Sequence, residues 1–340
     1  MIRAVAGVDC CDYPIAMDTY KGCSHNCKYC FVRGFHGIEN VEPIRQVKSL
    51  ENFINGQRNR LTRAFAWDIP VKIGTMCDPF QPCEKEHGET LKCLELLAKT
   101  GYPCIINTKN PAMLVDEPYK TVISKCNCLL NVTMACPRYD KLESGAPTYE
   151  DRLNAVKEIS PFVKRINALC MPLFVDAAKD IREEITKWAD AGVYGAIFSG
   201  FVTNKKTKGM IKDGKDYMFA LDRIVPIYKS LREKCHKNGL RFFCGDARVR
   251  FLGDSLTCCG TENMAGFKPS TANMPHLAHG GDAEIMPSMR EKGSAYVFIG
   301  QNHKLSNYYK LQEATYEEKL NENAENYIDY WRNLRQKYGD

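Results

Sequence analysis

Short continuous apolar runs alternate with amphipathic stretches through most of this chain, and few folds accommodate that order. The runs are VKIGT at 71–75, PCIINTK at 103–109, CLLNVTM at 128–134, INALCMPLF at 166–174 and YGAIFSG at 194–200. Between them lie GETLKCLELLAKT at 88–100, TYEDRLNAVKEI at 148–159 and DAAKDIREEITKWADAG at 176–192. A strand buried on both faces reads as an unbroken apolar run, and a helix laid on a sheet shows one apolar stripe. The pattern therefore predicts an α/β fold, a parallel sheet covered by helices. With a first short strand near Met17 to Tyr20, the chain supplies six βα units by about residue 230. Six units make either an open doubly wound sheet or a partial barrel, and periodicity leaves both open.

After a helical stretch from about Tyr217 to Lys237, the pattern changes. Residues 244–294 are rich in Gly, Cys, Met, Pro and Ser, with little periodicity. That is too long for a plain connection in a compact domain, so a functional or metal-braced region is expected there. In the tail, Tyr316, Leu320, Ala324, Tyr327, Trp331 and Leu334 recur by threes and fours and predict a helix packed on the main body. The expected organisation is an N-terminal segment over 1–15, the main α/β body over 16–240, and a C-terminal cap region with its helix over 241–340.

Composition narrows the class. Hydrophobic content of 44% with 26% charged residues describes a globular chain and excludes disorder, collagen and coiled coil. Lys and Arg number 47 against 41 Asp and Glu, a formal charge of +6 spread along the sequence, which permits an anionic partner without requiring one. No apolar stretch reaches the roughly 18 residues of a membrane span, and the N-terminal apolar run ends too soon, at Cys10, Cys11 and Asp12, for a signal peptide. The expectation is a cytoplasmic protein without a membrane partner. The 17 cysteines are the abnormal number. An odd count without a secretory signal does not look like a disulfide framework, and a reducing compartment favours thiols kept for metal or redox chemistry.

The stretch TYKGCSHNCKYCFVRG sets Cys23, Cys27 and Cys30 in a C-x3-C-x2-C pattern directly after the first expected strand. Three thiolates on one tight loop can ligate three irons of a 4Fe-4S cluster and leave the fourth iron without a protein ligand. A zinc site would want a fourth ligand, for which His25 is the nearest candidate, and zinc knuckles favour a second cysteine pair elsewhere. Chance clustering in a cysteine-rich chain is the remaining alternative.

The triad, with aromatic Tyr29 before its last cysteine and its place at the first βα loop, resembles the radical S-adenosylmethionine superfamily. That resemblance implies a partial (β/α)6 barrel of TIM type, with S-adenosylmethionine chelating the open iron at the C-terminal mouth of the strands. It implies reductive cleavage of the sulfonium to a 5′-deoxyadenosyl radical, and an external electron donor such as flavodoxin or ferredoxin. The segment GTMCDPFQPCEKEHGETLKCLELLAKTGYPCIINTKNP is similar to spore photoproduct lyase and its relatives, as is LESGAPTYEDRLNAVKEI, where Glu and Pro precede an Arg that opens a helix. The likeness covers about residues 16–200, and only the triad is diagnostic of the superfamily.

On this resemblance Cys23, Cys27 and Cys30 bind the cluster and Tyr29 lies near adenine; the alternative for Tyr29 is a packed loop aromatic. Lys109, in a Thr-Lys pair ending a strand, would meet the S-adenosylmethionine carboxylate, unless it is a surface lysine. Arg152 is the other candidate for that contact, against an exposed helix charge. Asp78 and Gln81, at another strand end, are candidates for hydrogen bonds to cofactor or substrate, or for capping the next helix. The hydrogen-returning cysteine of photoproduct lyases falls on Thr75 here, and Cys77 would point away from Asp78 along a continuing strand. The expectation is shared cofactor machinery and a different, unidentified substrate, with nucleic acid among the candidates.

A second cysteine group, Cys244, Cys258 and Cys259, with Cys10 and Cys11 upstream, admits an auxiliary metal site, buried apolar thiols, or a redox thiol. The cap region carrying it is expected on the substrate side. His276, His279 and Asp282 form either a metal or proton site or solvated loop side chains. Cys93, Cys104, Cys128 and Cys170 read as core residues. Two other functions compete. One is a zinc-braced nucleic-acid-binding protein, with Arg58, Arg60 and Arg63 as a basic face. The other is an iron–sulfur electron carrier without S-adenosylmethionine chemistry.

Overall fold

A computed structural model of the chain describes residues 2–4, 11–34, 40–57, 69–213, 216–255, 257–269 and 325–339. Arg58, Arg60, Arg63, His276, His279 and Asp282 lie outside the described residues, as do Tyr316, Leu320 and Ala324 of the expected tail helix.

Strand β1 (Arg3–Ala4) pairs antiparallel with β2 (Ile15–Met17), while β3 (Tyr20–Lys21) and β4 (Glu42–Pro43) form a separate ribbon. Helix α1 (Val47–Ile54) precedes β5 (Val71–Ile73), and α2 (Glu84–His87) with α3 (Glu89–Thr100) precedes β6 (Cys104–Thr108). The alternation continues through α4 (Tyr119–Lys125), β7 (Cys128–Thr133), α5 (Tyr149–Ile159), β8 (Arg165–Leu173), α6 (Ala178–Asp190) and β9 (Gly195–Gly200). A small antiparallel sheet of β10 (Val202–Thr203), β11 (Ile211–Asp213) and β12 (Asp216–Met218) interrupts it. Helix α7 (Leu221–Lys237), β13 (Arg241–Cys244) and α8 (Glu325–Tyr338) follow.

The main sheet runs β1-β2-β5-β6-β7-β8-β9-β13, and every pairing from β2 to β13 is parallel. This is the α/β partial barrel expected, open between its edge strands. It carries one more parallel strand than the six units counted from sequence, because the short run Arg241–Cys244 pairs with β9. The sheet thus continues past the expected boundary at residue 240. Among the described residues no helix is long and apolar enough to cross a membrane.

Alternation along the strands sorts the side chains. Cys104, Ile106, Cys128, Leu130 and Val132 pack under the helices, together with Cys93 and Cys170, all essentially without solvent exposure. Ile105 and Leu129 face the other way, and so do Asn107, Asn131 and Asn167, which stand side by side in register. Their amides form a ladder, Asn131 Nδ2 to Asn107 Oδ1 at 3.0 Å and Asn167 Nδ2 to Asn131 Oδ1 at 3.3 Å. At the start of α5, Thr148 and Asp151 form a reciprocal cap, with the Thr148 hydroxyl accepting from the Asp151 N–H and the Asp151 carboxylate from the Thr148 N–H.

Residues 257–269 lie over the N-terminal mouth of the sheet. Arg165, first residue of β8, donates to the carbonyls of Gly260 and Glu262, and Asn127, just before β7, donates to that of Ala265. For these thirteen residues the placement differs from the substrate side expected of the cap region, since ligands of such folds gather at the opposite, C-terminal mouth; residues 270–324 of that region lie outside the described residues. The physical reason is the seating of Gly260, whose added Cβ would stand 2.0 Å from the Phe243 ring, at a φ of +61°. Gly260→Val is therefore expected to lower stability by ~3 kcal/mol or more through overpacking and backbone strain. Urea unfolding should show it as a lower midpoint with an unchanged slope.

Candidate functional site

The three motif cysteines lie on the loop that leaves β3, at the C-terminal mouth. Two supports hold that loop. From the β5 side, Gln81, fully buried, accepts from the Ser24 N–H at 2.9 Å and donates to the Gly22 carbonyl at 3.3 Å. From the connection between β7 and α5, the Lys28 N–H donates to Leu142 O at 2.8 Å and the Gly145 N–H to His25 O at 3.1 Å. A Cβ on Gly145 would come within 2.4 Å of Ser24 O and 2.8 Å of His25 O, so only glycine lets the two backbones approach.

Asp78 joins three strand ends. Its Oδ1 accepts from the Phe80 N–H at 2.9 Å and the Thr108 hydroxyl at 2.8 Å, and its Oδ2 accepts from the Lys109 N–H at 2.6 Å. His25 Nδ1 lies 3.4 Å from the same oxygen. Burial alone would raise the Asp78 carboxyl, but His25 and then the N–H groups of Lys109 and Phe80 hold it down at about 2. Cys77 is buried with Sγ 3.8 Å from Asp18, so neighbouring Cys77 and Asp78 face different partners.

The Lys109 ammonium reaches over the Tyr29 ring, 5.7 Å from its centroid. Tyr29 donates its hydroxyl to Glu143 and meets Phe174 edge-on at 5.9 Å. Glu143 pairs with Arg152 at 2.5 Å, and the guanidinium also donates to the carbonyls of Pro147 and Thr133 at 2.8 and 2.9 Å. With Glu143 1% and Arg152 2% exposed, this is a buried pair rather than a surface charge.

Two residues here went unassigned in the sequence. Glu143 belongs to the LESGAP segment, and only its distant partners reveal what it holds. Asp18, at the end of β2, accepts from the Thr75 and Met76 N–H groups, both at 2.8 Å, and pairs with Arg3 at 2.7 Å.

The cysteine loop fits a sulfur-ligated metal cluster. Its thiols are unbridged. Burial pushes Cys23 up to about 12 and Cys27 up to about 11, the latter opposed by Lys109, so stable thiolates here need a metal's charge. His25 Nε2 and Arg152 Nη2 are buried donors with no hydrogen-bond partner among the described residues, beside the place where such a group would sit. Among the described residues no three Cys, His, Asp or Glu side chains are gathered to hold one metal ion. A cluster asks for a different arrangement, one thiolate to each iron.

The second cysteine group divides. Cys244 is buried in β13 with its thiol 3.6 Å from Asp246 O. Cys258 and Cys259 lie at the N-terminal mouth with Cys11, beside the Lys72 ammonium, which an auxiliary metal ion would have to displace.

No protein-family model matches the chain. Uncharacterized proteins of Mycobacterium bovis and Mycobacterium tuberculosis are 26% identical over 201 residues, covering 56% of this chain. The match spans 59% of each relative's own length. Among solved structures, a cysteine-to-serine and a tyrosine-to-phenylalanine variant of spore photoproduct lyase each superpose with a TM-score of 0.53 at 14% identity. Each superposition covers 68% of this chain and 76% of the lyase. The chain therefore shares that enzyme's fold.

Proposed function

We propose that this protein is a radical S-adenosylmethionine enzyme, with a 4Fe-4S cluster on Cys23, Cys27 and Cys30 and the sulfonium cofactor beside it at the C-terminal mouth. The observation that carries the reading is the loop itself: three unbridged thiols held from two sides by Gln81 and Gly145, under a lysine ammonium. The cluster, when bound, would supply the electron that breaks the sulfonium bond and releases a 5′-deoxyadenosyl radical toward the substrate. An external one-electron donor, of flavodoxin or ferredoxin type, would be needed to reduce it.

The chain's own residues bind and orient. Lys109 offers the cofactor carboxylate a charged partner, and Asp78 fixes the Lys109 backbone at the strand end. Arg152, engaged by Glu143 and two carbonyls, holds Glu143 under Tyr29 and so sets that ring beside the adenine position. Phe174 packs edge-on against Tyr29 and is itself backed by Tyr139 and Phe201, an aromatic cluster that keeps water from that side. The substrate is unidentified, with nucleic acid among the candidates.

Protein purified without oxygen, reduced with dithionite and given S-adenosylmethionine is expected to release 5′-deoxyadenosine. Zinc as the only bound metal would favour the zinc-braced alternative, and a reducible cluster with no affinity for the cofactor would favour an electron carrier. For Lys109, loss of a charge-assisted contact worth about 1.5–3 kcal/mol predicts that Lys109→Ala weakens cofactor binding roughly ten- to a hundredfold. Iron content should stay unchanged and Lys109→Arg should recover part of the affinity, both read by anaerobic titration calorimetry.

A further inference from the structure

At the mouth opposite the proposed radical site, Cys258 and Cys259 bring their sulfur atoms to 3.4 Å. Cys259 is buried at 5% exposure, and Cys258 is half-buried. The Lys72 ammonium, projecting from β5 toward this mouth, donates to Cys11 Sγ at 3.3 Å, and the charges acting on it are those of Cys11, Cys259 and Cys258. Asp12 fixes the backbone here, accepting from the Cys258 N–H at 3.1 Å while its carboxylate pairs with Arg250 at 2.8 Å. Asn167 donates to the Cys259 carbonyl at 2.7 Å and holds the pair against the inside of the sheet.

We propose that Cys258 and Cys259 form a redox-active dithiol, activated by Lys72, that reacts with low-molecular-weight disulfides. The geometry carries it: two sulfurs in contact share a proton, one half-exposed, next to a fixed ammonium. Such a setting stabilises a thiolate, which is the attacking form. The shared proton holds Cys259 below the ordinary thiol range, with Lys72 helping against burial. The proton rests on Cys258, whose thiol the Cys259 contact and burial hold well above the ordinary range. As the half-exposed Cys258 sulfur meets one sulfur of R–S–S–R, it passes that proton across the 3.4 Å contact to the Cys259 thiolate, which serves as its base, and attacks. The S–S bond breaks, a mixed disulfide forms and RS⁻ leaves. RS⁻ takes the Cys259 proton, and the Cys259 thiolate then attacks the Cys258 sulfur and expels the second RS⁻. Two protein thiols become one disulfide, and the small disulfide is reduced to two thiols. The adjacent Cα atoms stand about 3.8 Å apart, below the usual ~4.4–6.8 Å of a bridged pair, so the product is strained and readily reduced again. A reversible site follows.

The test is independent of the reading of the other mouth, because it maps each cysteine separately. Protein prepared without oxygen is incubated with oxidised glutathione, quenched with an alkylating agent and digested for mass spectrometry. The expected result is a Cys258–Cys259 bridge, reversed by dithiothreitol, forming at least ~10-fold faster than any modification of core Cys93 or Cys104. Lys72→Met should slow the reaction about tenfold and move its pH profile upward, with Lys72→Arg restoring most of the rate. Cys258→Ser should leave Cys259 unmodified. Any of three results would overturn the proposal: a bridge that includes Cys11, a mixed disulfide that never resolves, or a Lys72→Met rate equal to wild type in a protein with unchanged thermal unfolding.

Discussion

Serine at Cys27 is expected to abolish the cluster and the release of 5′-deoxyadenosine together. Each motif thiol is the sole protein ligand of one iron in the proposed arrangement, and serine's alkoxide is a harder and far more basic donor. Cys27 is also the most buried of the three, at 7% exposure, so solvent cannot replace it well. Product formation should fall by at least ~10³-fold, since a reaction that depends wholly on the cofactor has little residual route. Cys23→Ser and Cys30→Ser should behave alike. Cys83→Ser, a half-buried thiol outside the loop, serves as the control and should keep full iron content. Iron and sulfide analysis with the near-ultraviolet and visible spectrum would read both arms. Unchanged iron in Cys27→Ser would remove the motif from the account.

The second large effect is expected at a residue with no side chain. Gly145→Ala places a methyl group 2.4 Å from Ser24 O and 2.8 Å from His25 O, both backbone atoms. The φ of Gly145 lies outside the left-handed region, so alanine brings no backbone strain of its own, only the contact. Relief requires the cysteine loop to move outward, breaking the Gly145 N–H bond to His25 O. At ~2 kcal/mol for a misplaced methyl group in a packed site, cluster affinity should fall roughly thirtyfold. The loop can yield while α5 and the sheet stay in place, so the urea midpoint should shift little. The check is iron content after reconstitution at limiting iron, alongside the unfolding midpoint. Full iron loading in Gly145→Ala would show that the loop tolerates displacement.

How much of this was legible in the sequence depended on the range of the interaction. The apolar run at 103–109 became Cys104–Thr108 and that at 128–134 became Cys128–Thr133, because strand burial is written in the residues themselves. Thr148 and Asp151 were equally local. The C-x3-C-x2-C spacing announced the loop, and the mouth it occupies followed from its place after the first strands. Long-range pairings were not legible. Glu143 lies 114 residues from the Tyr29 hydroxyl it accepts from, and nothing near either residue marks the pair. Arg152, a candidate for the cofactor carboxylate, meets Glu143 and two carbonyls through Nε and Nη1, partners that only the folded connection after β7 brings together.

The irregular segment after β13 gave the same lesson. Without periodicity it carried no sign of which mouth it covers, and the deciding contacts, Arg165 to Gly260 and Asn127 to Ala265, cross 95 and 138 residues. Lys72 is simply the second residue of the apolar run at 71–75, with nothing beside it to mark a role. Its partner Cys11 is 61 residues away, and Cys258 lies another 246 residues beyond Asp12, the neighbour that fixes its backbone.

The central claim is that three protein sulfurs leave one iron of a four-iron cluster open to S-adenosylmethionine. Mössbauer spectroscopy of protein reconstituted with ⁵⁷Fe, recorded before and after addition of the cofactor, tests it most directly. The account predicts a 4Fe-4S spectrum in which the cofactor changes the environment of one iron and leaves the others as they were. A spectrum without a four-iron cluster, or one that the cofactor does not alter, would contradict it.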